Sequence, residues 1–450
     1  MKTVMIGAGS FFSDAITEGL CNSKFFEGSE LVLLDLDERL LGLSLERNRK
    51  IIEDSKRSIR VRATTERKKA LEGCDYVVTA CEKKRVPFWI RDIEIPASFG
   101  VEQFKGENGG PGGQAHAMRN ITMFMGICED MRKLCPDAWL MNFTNPMSFV
   151  CTYFQRHGGV KSLGFCHQVH GSMGVVSEML GLEPGQLEFV TAGVNHFNWL
   201  LDIRRKGSGE SCMDWFIEQV KKSPYWDKIE HNIPAQKFTS DILRAFGLYC
   251  VGYDDHICEY VPFFYQRNEW EKFGYRAPLD EMREELGRKK RHANNANVNE
   301  LREEQSKARA EFYNVPFPKD GHHPYYQEKP TEVMEALESN TPTYLDSIVV
   351  TNNGAIDNLP DNALVDVPAM VLGGEVRSVH VGPLPTFAME LCRRQITLHE
   401  LLVEATVNGD REKVVQSMAL DPYVRGIKQA KDIADAFLDC YREELPQFWN

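Results

Sequence analysis

Short apolar runs alternate with amphipathic stretches over the first half of the chain. The apolar runs are rich in β-branched and large side chains and are bounded by turn-forming residues, as buried parallel strands are. The predicted strands are KTVMIG, SELVLLDLD, CDYVVTAC, DAWLMNFT and VKSLGFC. The stretches with helical spacing are SDAITEGLCNS, LLGLSLERNRKIIEDS and QAHAMRNITMFMGICEDMRKLC. This alternation predicts an α/β fold with a doubly wound parallel sheet.

The pattern changes near residue 200, where long charged segments replace the alternation. Residues 277–312 have helical periodicity and are most simply interpreted as a solvated helical excursion. Residues 385–422 predict a helix, a loop and a second helix. Because no internal repeat or low-complexity linker interrupts the chain, we expect two closely packed domains, residues 1–195 and 196–450.

Composition narrows the class of partner. A chain of 450 residues is long enough for two substantial domains. Its net charge of -12 argues against binding to nucleic acid or to anionic membranes, which would repel it. No apolar run approaches the roughly 18 residues that a membrane-spanning helix needs. The expected partners are therefore small molecules and protein subunits.

The cysteines indicate a reducing compartment. The twelve cysteines are scattered, without a CxxC pair or an evenly spaced framework. The first residues predict a strand and a turn rather than a basic segment followed by an apolar signal helix. We therefore expect free thiols and a cytoplasmic location.

The first strand, turn and helix have the pattern of a dinucleotide site. Gly7 and Gly9 lie between an apolar strand and a helix, where backbone amides can accept a pyrophosphate, and Ser10 continues the turn. Asp35 ends the second strand, where a carboxylate can bind ribose hydroxyls. The third glycine of the usual fingerprint is absent. The simpler alternative is a tight turn that binds nothing.

An Asn-Pro pair follows the fourth of these predicted strands. The segment NFTNPMSFV places Asn142, Asn145 and Pro146 at the carboxyl edge of the sheet, where ligands of such folds bind. Its Thr-Asn-Pro arrangement resembles that of lactate and malate dehydrogenases. A plain turn is the alternative, since proline disfavours helix in the residue before it.

A cysteine and a histidine can meet at the same edge. Cys166 ends the next apolar run, and His196 interrupts the strand-like segment EFVTAGVNHFNWLLDI. Polar residues inside an apolar run cost free energy unless they are paired or bind something. The two residues are too far apart in sequence for a local zinc knuckle but suit an open divalent-metal site. Spacing alone leaves core packing and a Cys-His nucleophile pair as alternatives.

Together the motifs resemble the family 4 glycoside hydrolases, glycosidases that use NAD. The motifs run in the family's order through nearly the whole chain: GAGS, GENGGPGG, NFTNP, GFCH, GVNHF, YDDHICEYVPFF and VTNNGAIDNLPDNALVDVPAMV. The resemblance implies an N-terminal Rossmann domain and a C-terminal α/β domain resembling that of lactate dehydrogenase. It also implies a homo-oligomer, because family members are commonly dimers or tetramers.

The resemblance assigns roles to the candidate residues. It makes Cys166 and His196 the ligands of a divalent metal, usually manganese, and Asn145 a substrate contact beside the metal. Gly7, Gly9 and Asp35 would hold NAD. GFCH, in place of a Cys-Asp pair, resembles members that act on unphosphorylated sugars or uronic acids, with His167 at the position of the leaving-group acid. The α-galacturonidase and α-glucuronidase members look closest, followed by α-galactosidases and α-glucosidases.

The implied chemistry is redox elimination on an α-linked sugar or uronic acid. NAD takes hydride from C3, the metal polarises the resulting ketone, and a base removes the proton at C2 before the C1 oxygen leaves. Water then adds and the hydride returns, so NAD is recycled. For the base we favour Asp254, followed by Asp255 and Tyr253; a solvated acidic loop is the alternative.

Residues near the glycine-rich segment are candidates for substrate binding. Glu107 and Asn108 are expected to contact sugar hydroxyls, unless the glycines simply permit a sharp turn. His116 and Arg119 open the following helix, where a cation would meet an anionic substrate, and the loop histidines His322 and His323 are further candidates.

Two other functions remain open from the sequence. The fold and the Thr-Asn-Pro segment suit a 2-hydroxy-acid dehydrogenase, which would accumulate NADH and need no metal. A non-catalytic NAD-binding sensor would bind the dinucleotide but have no use for Cys166 and His196.

Overall fold

The computed structural model describes residues 1–10, 12–222, 237–264, 284 and 329–449. A single continuous sheet runs through this part of the chain. Its strands are β1 (Lys2–Ile6), β2 (Glu30–Leu34), β3 (Arg60–Thr64), β4 (Tyr76–Thr79), β5 (Trp139–Asn142), β6 (Lys161–Gly164), β7 (Leu187–Val194), β8 (Phe197–Arg205), β9 (Tyr249–Val251), β10 (Thr343–Thr351), β11 (Leu364–Leu372) and β12 (Glu375–Ser378).

Helices cover both faces of the sheet. The helices of the first half are α1 (Phe12–Asn22), α2 (Glu38–Ser55), α3 (Arg67–Leu71), α4 (Arg85–Ser98), α5 (Gly110–Leu134), α6 (Met147–Tyr153) and α7 (Gln168–Met179). Those that follow are α8 (Met213–Lys222), α9 (Lys237–Phe246), α10 (Asp254–Tyr260), α11 (Pro330–Ser339), α12 (Thr386–Asn408), α13 (Arg411–Leu420) and α14 (Ile427–Cys440). No helix in the described ranges is both long and apolar enough to cross a membrane.

The sheet has a parallel half and an antiparallel half. The parallel strands lie in the order β3-β2-β1-β4-β5-β6, which is the order of a dinucleotide-binding Rossmann domain. Beyond β6 the sheet continues as β10-β11-β7-β8-β9 with antiparallel neighbours, and β12 pairs with β11. The predicted doubly wound α/β sheet is therefore confirmed.

Alternation along the strands sends side chains to opposite faces. Met5 of β1 packs in a core that α1, α2 and α11 cover, whereas its neighbour Val4 packs in a second core under α5, α6 and α14. Both residues are fully buried. Because both faces are covered, the inner parallel strands β1, β2 and β4 are nearly continuous apolar runs, which is why the sequence reveals them.

The predicted strands and helices of the first half are all present, but the strand β3 and the helices α3, α4, α6 and α7 were not predicted. The single strand-like segment of residues 188–203 is a correction, because it forms the two strands of a hairpin, β7 and β8, joined by Asn195 and His196. The boundary that we expect between residues 195 and 196 falls in this turn. The helix, loop and second helix predicted over 385–422 are present as α12, a short turn and α13. The predicted helical excursion at 277–312, residue 284 apart, lies outside the described residues, as do His322 and His323.

Candidate active site

The candidate site lies at the carboxyl edge of the parallel strands. The turn after β1, the loop after β5 and the segment after β6 all leave this edge, because β1, β4, β5 and β6 are parallel neighbours. The hairpin turn between β7 and β8 reaches the same place. The topology thus brings together Gly7, Asn145, Cys166 and His196, which are widely separated in sequence.

The turn after β1 has the geometry of a nucleotide-binding loop. Gly7 has a φ of 87°, and a Cβ atom there would lie 2.2 Å from the carbonyl oxygen of Ala80. The amide of Gly9 donates to Oδ2 of Asp35 at 2.8 Å, and the hydroxyl of Ser10 donates to the carbonyl of Gly7 at 2.7 Å. The four residues Gly7, Gly9, Ser10 and Asp35 therefore form one connected turn, in which only glycine fits at position 7.

Cys166 and His196 form the centre of the site. Nε2 of His196 lies 3.2 Å from Sγ of Cys166. The backbone amide of Gln168, at the start of α7, is 3.5 Å from the same sulfur, and the positive end of a helix stabilises an anion there. Burial, reinforced by the nearby His256, holds the pKa of His196 well below its usual value, so its ring is neutral and its lone pair is available. A thiolate and a neutral imidazole are suitable metal donors.

His196 occupies a backbone conformation that histidine rarely adopts. Its φ is 63°, in the left-handed region, at the second position of the β7–β8 turn. Glycine or asparagine is the ordinary choice there, and a bulky residue costs free energy that the rest of the structure must offset. The turn therefore retains a strained residue whose ring points at Cys166, and this supports a functional role for the ring.

The Cys166–His196 pair fits a catalytic rather than a structural metal site. In the part of the chain that the structure describes, no cluster of three or more histidine, cysteine, aspartate or glutamate side chains is arranged to hold a metal. A structural zinc site would need four protein ligands, whereas a catalytic site leaves positions for water or substrate. Cys166 is half-buried, so the donor pair is accessible from the edge of the sheet.

His167 lies beside this pair, at the N-cap position of α7. Its backbone carbonyl accepts from the amide of Gly171 at 2.9 Å, which ties the residue to the first turn of the helix. The His167 ring is close enough to His196 to help keep the pKa of that imidazole low. Its position is compatible with the predicted role of an acid next to the metal ligands.

The three candidates for the base have different environments. Asp254 is fully buried, and its carboxylate accepts hydrogen bonds from the amides of Phe238 and Thr239 and from the Thr239 hydroxyl, at 2.9 to 3.0 Å. It therefore caps the start of α9. Tyr253 packs against α7: a Cβ atom at Gly171 would lie 2.6 Å from the hydroxyl oxygen of Tyr253.

Asp255 belongs to a network of charges beside the site. Its side chain is 25% exposed and Oδ2 lies 2.7 Å from Nζ of Lys105. Burial opposes ionisation of Asp255, but the Lys105 ammonium outweighs it and lowers the pKa of the carboxyl. Of the two aspartates, only Asp255 has a partly exposed carboxylate.

Glu107 and Asn108 lie in the same network. Glu107 pairs with Arg85 at 2.8 Å and with Lys105 at 3.4 Å. Although burial opposes its ionisation, these two cations hold the pKa of Glu107 well below its usual value. The side-chain nitrogen of Asn108 lies 3.3 Å from Nδ1 of His256, while its buried side-chain oxygen has no hydrogen-bond partner among the described groups. An unpaired buried oxygen is suited to accept a hydrogen bond from a sugar hydroxyl.

Asn145 is held by contacts from α5. Its carbonyl accepts from the side-chain nitrogen of Asn120 at 2.6 Å, and the same nitrogen lies 2.9 Å from Nε2 of His116. His116 in turn pairs with Glu82 at 2.9 Å. The side chain of Asn142, by contrast, is buried and bonded to Thr79 and Thr144. Of the two asparagines, Asn145 is the half-buried one at the edge.

Arg119 does not have the environment expected of a residue that binds an anionic substrate. Its guanidinium is buried and makes two hydrogen bonds to Asp92, at 2.8 and 2.6 Å. It also stacks on the rings of Phe88 and Tyr441. A fully paired buried arginine links helices, and here it joins α4, α5 and the end of α14.

His256, Glu259 and Lys105 are site residues that sequence reasoning missed. The His256 ring stacks on the His196 ring with centroids 4.1 Å apart and an interplanar angle of 19°. Glu259, fully buried, lies one helical turn further along α10. The i, i+3 spacing of two polar residues within YDDHICEY was the available signal, because it places both on one face of a short helix.

Comparison with known proteins gives a consistent result over most of the chain. Residues 2–182 match the model described as "Family 4 glycosyl hydrolase", and residues 191–424 match "Family 4 glycosyl hydrolase C-terminal domain". An α-galactosidase of Bacillus subtilis (strain 168) is 28% identical over 453 residues, covering 99% of each chain. An α-galacturonidase of Thermoanaerobacter italicus is 26% identical over 399 residues, covering 84% of this chain and 83% of the relative.

Solved structures agree on the fold. A 6-phospho-α-glucosidase from gut microorganisms, in complex with NAD and Mn²⁺, matches with a TM-score of 0.80 and 22% identity over 99% of both chains. A lactate dehydrogenase from a Medee basin deep-sea metagenome library matches with a TM-score of 0.52 and 12% identity, over 90% of this chain and 98% of that one. The expected likeness to lactate dehydrogenase is confirmed at the level of fold.

Proposed function

The chain belongs to the family 4 glycosyl hydrolases, and on that premise we propose that it hydrolyses an unphosphorylated α-glycoside with NAD and a divalent cation, Mn²⁺ in the first instance, as cofactors. The observation that carries the proposal is the 3.2 Å contact between Cys166 and His196 at the edge of a Rossmann sheet. A sensor would need no such pair, and a 2-hydroxy-acid dehydrogenase would need no metal. Solved relatives of the same fold bind NAD and Mn²⁺, which supports both cofactors.

In this proposal the nucleotide binds at the turn after β1. Gly7 and Gly9 allow a pyrophosphate to approach the backbone, Ser10 fixes the turn, and the Asp35 carboxylate binds the ribose hydroxyls. Cys166 and His196 hold the cation. When bound, the nucleotide supplies a reversible hydride acceptor and the cation supplies Lewis-acid polarisation, the combination that makes a sugar C2–H acidic.

The chain's own groups then bind the sugar and move protons. We propose that Asp255 is the base that takes the C2 proton, because it is ionised and partly exposed whereas the Asp254 carboxylate caps α9. His167 protonates the leaving oxygen. Asn145, Glu107 and Asn108 bind the sugar hydroxyls and so fix C2 against the base.

The charges around the candidate site favour a neutral sugar. Arg85 is matched by Glu82 and Glu107, and Lys105 is matched by Glu107 and Asp255. A uronic acid would add a carboxylate to cations that are already paired. We therefore propose an α-galactoside as substrate, in line with the names of two relatives that align over 99% of this chain, and keep an α-galacturonide as the second candidate.

The proposed cellular location follows from the Cys166 thiolate. A thiolate that binds metal must stay reduced, which supports a cytoplasmic location. We retain the expectation of a homo-oligomer as part of the proposal. The net charge of -12 supports small-molecule substrates rather than nucleic acid or membrane surfaces.

Hydrolysis of p-nitrophenyl glycosides tests the proposal. The panel contains the α-galactoside, α-glucoside and α-galacturonide, each with and without NAD, Mn²⁺ and a thiol reductant. Nitrophenol released from the α-galactoside only when NAD and Mn²⁺ are both present is the expected result. Release without either cofactor contradicts the proposal, and NADH accumulating from a 2-hydroxy acid instead supports the dehydrogenase.

Asp35→Asn is expected to weaken NAD binding roughly 10- to 150-fold, because charge-assisted hydrogen bonds to the ribose contribute about 1.5 to 3 kcal/mol. The neutral side chain no longer repels a 2′-phosphate, so the ratio of NAD affinity to NADP affinity is expected to fall. Titration calorimetry with both nucleotides measures this. Asp37→Asn is the matched control: Asp37 caps α2 through the amides of Arg39 and Leu40, and because asparagine caps a helix about as well as aspartate, this substitution should leave both stability and NAD affinity nearly unchanged. Equal effects of the two substitutions would contradict the assignment of Asp35.

A further inference from the structure

Glu259 is a buried carboxylate that no step of the proposed reaction uses. Its side chain is fully buried within α10. Oε1 accepts hydrogen bonds from three consecutive backbone amides of the glycine-rich loop, those of Glu107 at 2.6 Å, Asn108 at 3.0 Å and Gly109 at 3.3 Å. Three successive amides around one oxygen form a concave anion site, and here the anion is part of the chain.

The location of this contact explains how a buried charge is tolerated. Gly109 is the N-cap of α5, a helix of 25 residues, and has no side chain with which to cap it. The Glu259 carboxylate takes that place at the positive end of the helix. The approach is close: a Cβ atom at Gly109 would lie 2.7 Å from the Glu259 carbonyl oxygen, so glycine is needed at this position.

The second oxygen of Glu259 faces His256, the residue that stacks on His196. Oε2 lies 3.3 Å from Nδ1 of His256 and 3.5 Å from the side-chain nitrogen of Asn108. The His256 ring stacks on His196 at 4.1 Å, and His196 contacts Cys166. One carboxylate thus contacts both the loop that carries Glu107 and Asn108 and the ring that packs on a metal ligand.

A second contact from the same helix reaches the His196 turn. The Tyr260 hydroxyl donates to the carbonyl of Asn195 at 3.4 Å, and its ring stacks on Phe197 with centroids 5.1 Å apart. Asn195 and Phe197 flank His196, whose own Nδ1 has no hydrogen-bond partner among the described groups. Because Nδ1 of His196 has no such hydrogen bond, the orientation of the imidazole depends on packing from α10 together with the Nε2 contact to Cys166.

We propose that Glu259 is a positioning residue. It anchors the glycine-rich loop directly and orients the metal ligand His196 through His256, so that the loop and His196 keep a fixed relative position. The inference rests on the proposed function, in which the loop binds the sugar and His196 binds the cation. Without the carboxylate, the loop loses its anchor and the His256 ring loses the group that fixes its tilt. Sugar and cation would then no longer be held at one fixed separation.

Glu259→Gln tests this without a change of shape. The amide oxygen still accepts from the loop, but the charge is lost and an NH₂ group replaces the oxygen that faces His256. We expect the Mn²⁺ dissociation constant, measured by electron paramagnetic resonance without NAD or substrate, to rise roughly 10- to 100-fold. Amides 107–109 are expected to exchange hydrogen faster, because a neutral oxygen is a weaker acceptor than a carboxylate. Affinity for NAD stays unchanged.

The matched control is Asp130→Asn. Asp130 is also a buried carboxylate, and it pairs with Arg67 of α3; in the described part of the chain neither residue has a hydrogen bond or ion pair with Glu259, His256 or His196. We expect it to change neither Mn²⁺ affinity nor exchange at residues 107–109. Mn²⁺ affinity in Glu259→Gln equal to that of the wild type would overturn the proposal, as would unchanged exchange in the loop.

A double-mutant cycle identifies the route. If Glu259 acts through His256, then Glu259→Gln and His256→Asn weaken Mn²⁺ binding by similar factors, and the double variant is no worse than either. If the effects of the two substitutions on Mn²⁺ affinity were additive, Glu259 would not act through His256 and the proposal would be contradicted. Should Glu259→Gln fail to fold, His256→Asn alone decides: the proposal requires weaker Mn²⁺ binding with loop exchange unchanged, and wild-type affinity overturns it.

Failure of this inference differs from failure of the proposed function. A wild-type protein that binds no Mn²⁺ contradicts the proposed function. In that case hydrogen exchange at residues 107–109 still reports whether Glu259 anchors the loop.

Discussion

Cys166→Ser is expected to abolish both Mn²⁺ binding and glycoside hydrolysis while leaving NAD binding intact. Substitution of groups that merely orient metal ligands typically costs roughly 10- to 100-fold in metal affinity, so loss of a direct ligand should exceed about 100-fold. A serine hydroxyl is not ionised at neutral pH and cannot replace a thiolate. Electron paramagnetic resonance measures the Mn²⁺ affinity, and calorimetry measures NAD binding.

Cys440→Ser is the control for this substitution, because Cys440 is exposed at the end of α14. It should behave as the wild type in both assays. Retention of hydrolysis in Cys166→Ser would contradict the assignment of Cys166 and His196 as metal ligands. Retained NAD binding by a wild type that shows neither hydrolysis nor Mn²⁺ affinity would favour the non-catalytic sensor.

Asp255→Asn is expected to lower kcat by roughly 10²- to 10⁴-fold, the usual contribution of a positioned base. Asp254→Asn, the same substitution at the neighbouring position, is the matched comparison. It removes charge from a buried group that accepts three hydrogen bonds at the start of α9, so its expected effect is a loss of about 1 to 3 kcal/mol in stability. Steady-state kinetics and thermal unfolding of the two variants separate the roles.

The reverse result would return the role of base to Asp254: loss of turnover in Asp254→Asn at full stability, with Asp255→Asn active. Loss of turnover in Tyr253→Phe, with both aspartate variants active, would assign the base to Tyr253. Each of the three outcomes identifies one residue of the segment that the sequence selects.

The sequence was sufficient where function depends on strand ends. β1 is an apolar run that is buried over its last four residues, and β6 is buried at its carboxyl end, so the residues that follow them, Gly7 and Cys166, can be placed at the carboxyl edge of the sheet from the sequence. The proximity of Cys166 and His196 also follows from the topology. The sequence alone left a metal site, core packing and a Cys-His nucleophile pair as alternatives for these two residues. The family resemblance selected the metal site among them.

What the sequence could not show depends on contacts between distant elements. The roles of Asp254 and Asp255 are indistinguishable in YDDHICEY, because only the packing of α9 against α10 shows which carboxylate caps a helix. Arg119 has the sequence position of an anion-binding group, but it is neutralised by Asp92 of α4, a helix that the apolar pattern did not predict. The hairpin turn at His196 was hidden because two strands and a two-residue turn have the same alternation as one interrupted strand.

In the proposed reaction the chain breaks the glycosidic bond by removing the proton at C2. Its most direct test is hydrolysis of p-nitrophenyl α-galactoside in D₂O with NAD and Mn²⁺, followed by NMR of the released sugar. Deuterium at C2 of the product is the expected result, because the proton taken by Asp255 exchanges with solvent before one is returned. A product that keeps its original hydrogen at C2 through complete turnover would contradict the account and indicate direct displacement at C1.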